Sequence, residues 1–385
     1  MTADLAAADI GTLDPALLEA ATLGATRMLP ASAYTSDDVL AWERRHLFAG
    51  AWTCVGREDD LRRGDDGAVT QRAVVVGDVA VLLTWEGDTL RALANTCRHR
   101  GHELIAAGDA SYKRSVICPY HAWTYDLSGA LRAAPDFRDV DGFAPTEHSL
   151  SKLPVERWHG WVFVHALHGT VPFAEYIGAL EDVVAPYAPE RLVLSDRHSY
   201  EVAANWKVIS ENYHECYHCP LIHPELCQVS PPTSGENYDG MPGAWVGGWM
   251  DLRDGMATMS LTGEAAGAPI PGVDLRRVGY VQLWPNLLIS PHPDYLMVHR
   301  MVPLAPNRTW VECSWFVLED GPDTARAVEF WDITNKQDWK ACESVQRGLA
   351  SPHFRSGPFA PAEDAVQAFV GLVSRGYLGE ALHLP

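Results

Sequence analysis

Short apolar runs separated by turn signals mark the N-terminal half of the chain. Between residues 67 and 95, apolar runs at 73–76 and 79–83 flank Gly77-Asp78, a dipeptide typical of tight turns between antiparallel strands. A further apolar run at 161–164 is predicted to close this set of strands. The N-terminal half is therefore predicted to contain a small β-domain.

The C-terminal half is predicted to contain longer strands and one long helix. Apolar and polar residues alternate at 280–284, 295–300 and 309–317, which is typical of antiparallel strands with one buried face. The segment 330–349 has the pattern of a long helix, closed by Gly348. Strands followed by a long helix predict an α+β protein.

The first residues of the chain carry weaker signals. Residues 1–34 are rich in alanine and are predicted to form an arm or a short helix. Residues 35–38 have the form of a capping box, with Asp38 in the Glu/Gln place, and predict a helix that reaches about Phe48. We therefore expect three parts: an arm and helix at 1–44, a β-domain at 45–166 and a larger domain at 167–385.

The composition favours a globular protein with two cores and argues against nucleic-acid binding and membrane insertion. A chain of 385 residues with 47% hydrophobic residues and 14 tryptophans can fill two cores. The net charge of −20 argues against a nucleic-acid partner, because phosphate binding requires basic surface. The chain opens without a basic segment followed by an apolar core and has no apolar run of about eighteen residues, so we expect a soluble cytoplasmic protein that does not insert into a membrane.

Two short motifs combine one cysteine and one histidine each. They are Cys97-x-His99 and Cys118-x-x-His121. A Rieske [2Fe–2S] centre needs this mixture, because two cysteines hold one iron and two histidines hold the other. A structural Cys₂His₂ zinc site is the alternative, although zinc fingers usually pair Cys with Cys and His with His. The other six cysteines show no regular disulfide spacing, and in a reducing compartment we expect free thiols at Cys54, Cys216, Cys219, Cys227, Cys313 and Cys342.

A second group of candidate metal ligands follows about a hundred residues later. His218 and His223 are five residues apart, and on a helix Glu215 shares a face with His218, where its carboxylate can accept the ring N–H. Pro220 is expected to break that helix and let both rings turn to one metal. Two histidines and one carboxylate leave positions open on Fe(II) for dioxygen. Taken alone, two histidines at this spacing are more often a pair of ordinary surface residues.

These motifs resemble those of the ring-hydroxylating, non-haem iron oxygenases with a Rieske domain. The resemblance rests on the residues around the cluster motifs and on the segment before His218, namely Arg98, Arg100-Gly101-His102, Pro119-Tyr120, 122–126 and 205–218. It implies an N-terminal Rieske β-domain and a C-terminal helix-grip domain, in which a curved antiparallel sheet holds a long C-terminal helix. Within the motif, it implies catalytic roles for Asn212 and Glu215.

The resemblance also implies the third iron ligand and the route of electrons. The carboxylate comes from a late helix, where Asp338 matches the family pattern better than Asp332 or Glu343, each of which could instead be a solvated charge. Electrons from NADH would come through a separate flavin and iron–sulfur reductase, since the chain has no Gly-x-Gly-x-x-Gly fingerprint. In a head-to-tail homotrimer, His121 of one subunit would face Glu215 of the next, although this bridging position more often holds Asp.

The substrate is predicted less directly. The chain most resembles the branch that acts on small quaternary ammonium compounds such as glycine betaine, choline, carnitine and proline betaine, and this implies O₂-dependent hydroxylation and N-demethylation. Aromatic faces bind such cations, and the candidates are Tyr217, Trp245, Trp249 and Trp284, with Tyr213 and Tyr238 nearby in sequence. Core packing is the alternative for each, and Arg253, Arg276 or Arg300 could meet a carboxylate. Hydroxylation of an aromatic ring, or a non-catalytic electron carrier, remain as other functions.

Overall fold

The computed structural model describes residues 13–23, 25–138, 140–167, 171–319, 324–380 and 382. Its contacts divide the chain into two compact units. Among the described residues, one unit comprises Glu43–Val171, and the other comprises residues 13–42 together with those from Pro172 onward. Each unit is described separately below.

The described N-terminal residues pack within the second unit. They form α1 (Pro15–Thr22), α2 (Ser32–Thr35) and α3 (Asp37–Glu43). Tyr34 is fully buried, and its hydroxyl donates a hydrogen bond to Glu211 at 2.7 Å. The segment expected at 1–44 as a separate arm thus contributes core residues to the second unit, while residues 1–12 lie outside the described part of the chain.

The cap of α3 lies one residue later than the sequence pattern suggested. Thr35 ends α2, and its hydroxyl donates to the Ala31 carbonyl, whereas the Val39 N–H donates to the hydroxyl of Ser36 at 3.4 Å. Beyond α3 the helix continues as a π-helical turn, Arg44–Phe48, so the helix ends at Phe48 as expected.

Besides the π-helical turn Arg44–Phe48 and a 3-10 helix at Pro145–His148, the described part of the first unit is built from short antiparallel strands and one short α-helix. These are β1 (Thr53–Arg57), α4 (Glu58–Leu61), β2 (Arg63–Gly64), β3 (Gly67–Ala68), β4 (Gln71–Val76), β5 (Val79–Glu86), β6 (Thr89–Ala94), β7 (Ala110–Ser111), β8 (Ser115–Ile117), β9 (Thr124–Asp126), β10 (Leu131–Ala133), β11 (Lys152–Leu153), β12 (Val155–Trp158) and β13 (Trp161–Val164). They form sheets of order β11-β6-β5-β4-β7, β1-β13-β12, β10-β9-β8 and β2-β3.

Strand β5 is buried on both faces and so separates two cores. Val81 and Leu83 point into one core, while Leu82 points to the other side and packs in the same cluster as Cys97 and Cys118. Gly77 adopts a φ of 64° in the β4–β5 turn, a conformation that glycine accepts without strain. One face of β5 therefore packs against the two loops that carry the Cys/His motifs.

The second unit contains a seven-stranded antiparallel sheet. Its strands are β14 (Val193–Val202), β15 (Glu236–Asn237), β16 (Trp245–Asp251), β17 (Arg277–Leu283), β18 (Leu287–Pro291), β19 (Leu296–Ala305) and β20 (Arg308–Val317), in the order β14-β20-β19-β18-β17-β16-β15. Its helices are α5 (Phe173–Ile177), α6 (Leu180–Val184), α7 (Trp206–Tyr213), α8 (Cys219–Ile222), α9 (Pro224–Val229), α10 (Ala325–Leu349) and α11 (Asp364–Tyr377).

The long helix α10 packs on this sheet. Phe330 and Trp331 of α10 share a buried cluster with Met297 and Trp315 of the sheet. The sequence pattern predicts that this helix ends at Gly348, but the helix continues through Gly348 to Leu349. Ala350, which caps it, still has a right-handed helical backbone. An antiparallel sheet holding a long C-terminal helix confirms the expected helix-grip arrangement.

Two cysteines do not match the expectation of free thiols. Cys216 and Cys219 form a disulfide, with Cα atoms 4.9 Å apart, which lies in the usual range for such bonds. The other six cysteines form no disulfide among the described residues, namely Cys54, Cys97, Cys118, Cys227, Cys313 and Cys342. In the sequence Cys216 and Cys219 flank His218, a pattern that also suits a metal site and so does not by itself indicate a disulfide.

Among the described residues, no helix has both the length and the apolar character that a membrane crossing requires.

Candidate metal centres and substrate cavity

The two Cys/His loops of the first unit share one backbone pattern. In each loop the cysteine N–H donates to the carbonyl five residues later, Cys97 to His102 and Cys118 to Trp123, both at 2.9 Å. In each, the cysteine carbonyl accepts from the N–H four residues later, at Gly101 and at Ala122. These two residues have positive φ, 74° and 57°. The chain thus turns tightly enough to present a cysteine and a histidine from each loop.

The loops bring the four candidate cluster ligands together. The rings of His99 and His121 lie 4.7 Å apart between centroids, and His99 stacks on Trp123 at 4.9 Å. The Nδ1 atom of His99 is buried and has no protein partner. Cys97 Sγ lies 3.3 Å from the hydroxyl of Tyr125. Two sulfur atoms and two imidazoles, one of which carries a buried unpaired nitrogen, fit a Rieske cluster.

The second candidate centre lies in the other unit. His218 Nε2 and His223 Nε2 are 3.0 Å apart, and Asp338 Oδ1 lies 2.9 Å from His223 Nε2 and 3.3 Å from His218 Nε2. Adjacent ligands around a metal at about 2.1 Å are separated by about 3 Å. These three atoms therefore fit one metal ion, and the set of two histidines and one carboxylate is the one that iron oxygenases use.

The local structure around His218 differs from the sequence interpretation. Helix α7 ends at Tyr213, so Glu215 and His218 lie in a loop and not on one helical face. Pro220 does not break a helix but occupies the first turn of α8, where a missing N–H costs nothing. The Cys216–Cys219 disulfide closes this loop around His218.

Hydrogen bonds fix which nitrogen of each histidine faces the metal position. The ring Nδ1 of His218 donates to Glu215 Oε1 in a short contact, and the backbone N–H of His218 donates to Glu215 Oε2 at 3.1 Å. His223 Nδ1 donates to Gln337 Oε1 at 2.7 Å. Both Nε2 atoms therefore face the metal position beside Asp338, an arrangement common around metal-bound histidines.

The charges around this site shift the pKa values of its residues. Burial disfavours protonation of His218, but Asp338 and Glu215 outweigh it and raise the pKa of His218 to about 10. The pKa of His223 is also raised, since Asp338 and Gln337 outweigh burial. Burial alone would raise the pKa of Asp338, yet the two histidines lower it. Without a metal the three groups therefore share protons that a metal ion would displace.

The other acidic candidates are engaged elsewhere. Asp332 accepts a hydrogen bond from Tyr200 at 2.8 Å and pairs with Lys336. Glu343 accepts from the backbone N–H of Ala203 at 3.1 Å. Of the three carboxylates weighed from the sequence, the structure brings only Asp338 to the two histidines.

A cavity of about 520 Å³ opens beside the three candidate ligands. Tyr217, Trp249, Asn212 and Tyr213 line it, as do Glu215 and all three ligands. Trp245 and Trp284 do not: the Trp245 indole N–H donates to Pro242, and Trp284 is buried against Trp206 and Phe369. Tyr238 packs on Trp249, and the lining lacks Arg253, Arg276 and Arg300.

Several lining residues were not found from the sequence. Trp331 and Asn335 lie on the same face of α10 as Asp338, seven and three residues before it, and this helical spacing from a residue already singled out is a signal that was available. Tyr280 and His299 lie on strands β17 and β19. Gln282 lies opposite Leu288, and Leu288 lies opposite His299, so these three residues share one face of the sheet. Tyr280, two residues before Gln282, is on the same face. The sequence alone does not establish this register.

Both units match known protein families. Residues 51–144 match the Rieske [2Fe-2S] domain, and residues 189–378 match the catalytic domain of the ring hydroxylating alpha subunit. The chain is 30% identical over 335 residues to the carnitine monooxygenase oxygenase subunit of Escherichia coli K12, covering 85% of each protein. It is 27% identical over 371 residues to the glycine betaine monooxygenase oxygenase subunit of Pseudomonas aeruginosa, covering 86% of this chain and 84% of the relative.

A solved structure shows the same architecture. It is a quaternary ammonium Rieske monooxygenase described for carnitine oxidation by gut microbiota and for inter-subunit electron transfer. The match has a TM-score of 0.74 at 25% identity and covers 91% of this chain and 95% of that one. The order of a Rieske domain and then a sheet with a long helix is thus common to both chains.

Proposed function

Because this chain belongs to the family of ring-hydroxylating oxygenase alpha subunits with a Rieske domain, we propose that it is the oxygenase component of a monooxygenase that hydroxylates an N-methyl group of a small quaternary ammonium compound. Its cofactors are a Rieske [2Fe–2S] cluster and a mononuclear iron, as the two domains imply. The names of its relatives support this substrate class.

One observation carries the proposal. The three candidate iron ligands converge at the wall of a cavity whose lining is aromatic and acidic. Its aromatic side chains are Tyr213, Tyr217, Trp249, Tyr280, Trp331 and Trp339. Glu215, Asp338 and Asp364 also line it, and the described lining residues include no lysine or arginine. Aromatic faces and carboxylates stabilise a cation that carries no hydrogen-bond donors.

The residues around the iron have positioning roles. His218, His223 and Asp338 would hold the metal, which when bound supplies the activation of dioxygen. Glu215 orients His218, and Gln337 orients His223. In the overall reaction, O₂, two electrons and two protons convert one N–CH₃ group to N–CH₂OH and water. The C–N bond of this group then breaks to give formaldehyde and a tertiary amine.

The supply of electrons belongs to the same proposal. A separate flavin and iron–sulfur reductase would transfer electrons from NADH, and three copies of this chain would form a head-to-tail trimer. His121 is among the candidate cluster ligands and Glu215 contacts an iron ligand, so we place His121 of one subunit against Glu215 of the next. Inter-subunit electron transfer, described for the solved quaternary ammonium oxygenase, supports this arrangement.

Hydroxylation of an aromatic substrate by the same metal centres is the second candidate. Apolar side chains of Leu288, Met297 and Val311 line the cavity beside the aromatic ones. An aromatic ring would pack on these residues without needing a cation. The two candidate functions differ in whether binding of the substrate depends on a positive charge on the substrate.

The test combines metal content with ligand binding. The purified protein is expected to contain about three irons and two acid-labile sulfides per chain and to give a Rieske EPR signal when reduced. Asp338→Asn is expected to retain the cluster and lose about one iron, while Asp332→Asn on the same helix keeps all three. Glycine betaine, choline and carnitine are expected to raise the melting temperature and to yield formaldehyde with a reductase. Stabilisation by benzoate but by none of these cations would overturn the proposed substrate class.

A further inference from the structure

The Cys216–Cys219 disulfide encloses a candidate iron ligand. His218 lies between the two cysteines in the chain, and both cysteines line the cavity beside the candidate iron site. Cys219 is buried in the core cluster that includes Trp331 of α10, while Cys216 is partly exposed and packs against the same cluster. The disulfide thus attaches the His218 loop to a core shared with the helix that carries Asp338.

Few other bonds hold this loop. Glu215, Cys216 and Tyr217 lie in no helix or strand, and their N–H groups donate to no acceptor in the part of the chain that the structure describes. The Cys216 carbonyl accepts from the Cys219 N–H at 3.2 Å. The ring and the N–H of His218 both donate to Glu215, which belongs to the same loop. The disulfide is therefore the covalent constraint on a short segment that positions a candidate iron ligand and its carboxylate partner.

The spacing of the two cysteines is that of sites for thiol–disulfide exchange. Cys-x-x-Cys pairs form and break disulfides readily, because the two sulfur atoms remain close in both redox states. In a reducing compartment, which the sequence predicts for this chain, disulfides are usually transient and sense the redox state. The other six cysteines form no disulfide within the described residues. The pair at the iron site is thus the one that a change of redox conditions would address.

Resting on the proposed function, we propose that Cys216 and Cys219 form a redox switch operated by a dithiol reductant, in which the disulfide form retains the iron at His218 and the dithiol form binds it more weakly. A thiolate of the reductant attacks Sγ of Cys216, the S–S bond breaks, and Cys219 leaves as a thiolate that takes up a proton. The second thiol of the reductant then displaces Cys216 and closes the reductant's own disulfide. Two electrons and two protons thereby pass to the cysteine pair, and oxidised glutathione reverses the step.

The switch acts through the freedom of the metal-free loop. While the S–S bond is intact, the loop stays joined to buried Cys219 at both ends of the bond, so few conformations compete with the one that presents His218 to the metal. In the dithiol form the segment 215–217 gains conformations that iron binding must then restrict again. Because a disulfide stabilises by limiting such conformations, its reduction is expected to weaken iron binding roughly tenfold.

The test measures iron affinity in both redox forms of the full-length protein. After chelation of the mononuclear iron, one sample is treated with oxidised glutathione and the other with dithiothreitol, and the reagents are removed without oxygen. Fe(II) is then titrated, while the Rieske absorption confirms an intact cluster. Alkylation of unfolded aliquots is expected to modify six cysteines in the first sample and eight in the second. The dithiol form is expected to bind iron roughly tenfold more weakly, and reoxidation is expected to restore the affinity.

Two variants assign the effect to this pair. The double variant Cys216→Ser, Cys219→Ser is expected to show the weaker affinity after either treatment. Cys227→Ser, which removes a partly exposed cysteine of α9 outside the disulfide, is expected to respond as the wild type does. Recovery on reoxidation of the wild type separates the switch from a loss of fold. Equal iron affinity of the two redox forms, or eight modified cysteines after oxidised glutathione, overturns the switch and leaves the proposed function standing. Iron binding in neither form would overturn both.

Discussion

The side-chain oxygen of Gln337 lies 2.7 Å from Nδ1 of His223, so that a residue adjacent to Asp338 on α10 orients a second candidate ligand of the same metal. Gln337 in turn donates from Nε2 to Glu225 at 3.4 Å. One helix thus supplies a candidate ligand and the partner that orients another. The iron site therefore depends on α10 through two consecutive residues.

Replacing Gln337 by leucine is expected to weaken iron binding by roughly 10- to 100-fold, because His223 loses the acceptor that fixes its tautomer and ring orientation. Iron titration of the metal-free protein, monitored by iron content after gel filtration, measures the effect. Lys336→Ala on the same helix is the matched control, since Lys336 is exposed and pairs with Asp332. Full iron retention in Gln337→Leu would show that Gln337 has no such role.

Glu215→Gln is expected to retain both metal centres but to lower turnover roughly tenfold or more. The amide oxygen of glutamine can still accept the hydrogen bond from Nδ1 of His218, so the ring stays in place, while the negative charge proposed to join neighbouring subunits is lost. Iron analysis, EPR and formaldehyde production measured on one sample separate these effects. Unimpaired turnover would exclude the bridging role, and loss of iron would reassign Glu215 to metal retention alone.

The buried carboxyl of Glu211 makes stability depend on pH. Burial raises its pKa from 4.5 to about 7, although the Tyr34 hydroxyl and Lys207 act in the opposite direction. Below about pH 4.5 both the folded and the unfolded chain hold this proton. As the pH rises toward 7 the unfolded chain releases it first, so this group lowers the free energy of unfolding by up to about 3 kcal/mol.

Glu211→Gln mimics the protonated carboxyl and is expected to remove this decline. Urea unfolding of the wild type and the variant at about pH 5 and about pH 8 provides the comparison. The variant should match the wild type at the lower pH and exceed it at the higher one. Parallel stability curves for the two proteins would contradict the assignment.

The Cys216–Cys219 disulfide predicts a specific count of reactive thiols. Alkylation of the unfolded, unreduced protein should modify the six cysteines outside the disulfide, and prior reduction should expose all eight. Mass spectrometry of the intact chain distinguishes the two counts. Eight modified cysteines before reduction would show that Cys216 and Cys219 are also thiols, as the sequence analysis expects.

The arrangement of candidate metal ligands was accessible from sequence because short spacing limits geometry. Cysteine and histidine separated by one or two residues must lie in one loop, and the structure places both such loops side by side. The helix-grip arrangement followed from the resemblance. In contrast, the local structure before His218 was predicted as a continuous helix, and no glycine or proline between residues 214 and 218 signals its end.

A contact distant in sequence accompanies the end of helix α7. His214 is buried, with its Nε2 3.1 Å from Gln282 on β17. This contact is not visible in the local pattern. Tertiary interactions thus override a helical propensity that is weak over a few residues.

The aromatic lining of the cavity shows the same limit. Trp245 and Trp284 lie in the expected part of the chain but contribute to the core, whereas Tyr280, Trp331 and Trp339 line the cavity. Which face a strand residue occupies depends on register, and a shift of one residue reverses it. Composition alone therefore indicated an aromatic site without identifying its members.

The pairing of β1 with β13 has a consequence for how such a chain is assembled. Thr53 lies opposite Val164, so the polypeptide enters and leaves the Rieske unit at neighbouring points of one sheet, while the second unit includes residues on both sides of it. A module whose ends adjoin can be excised, exchanged or circularly permuted with little disturbance to its host. The Rieske unit is thus one continuous segment inserted into the chain of the second unit, and its ends meet in one sheet.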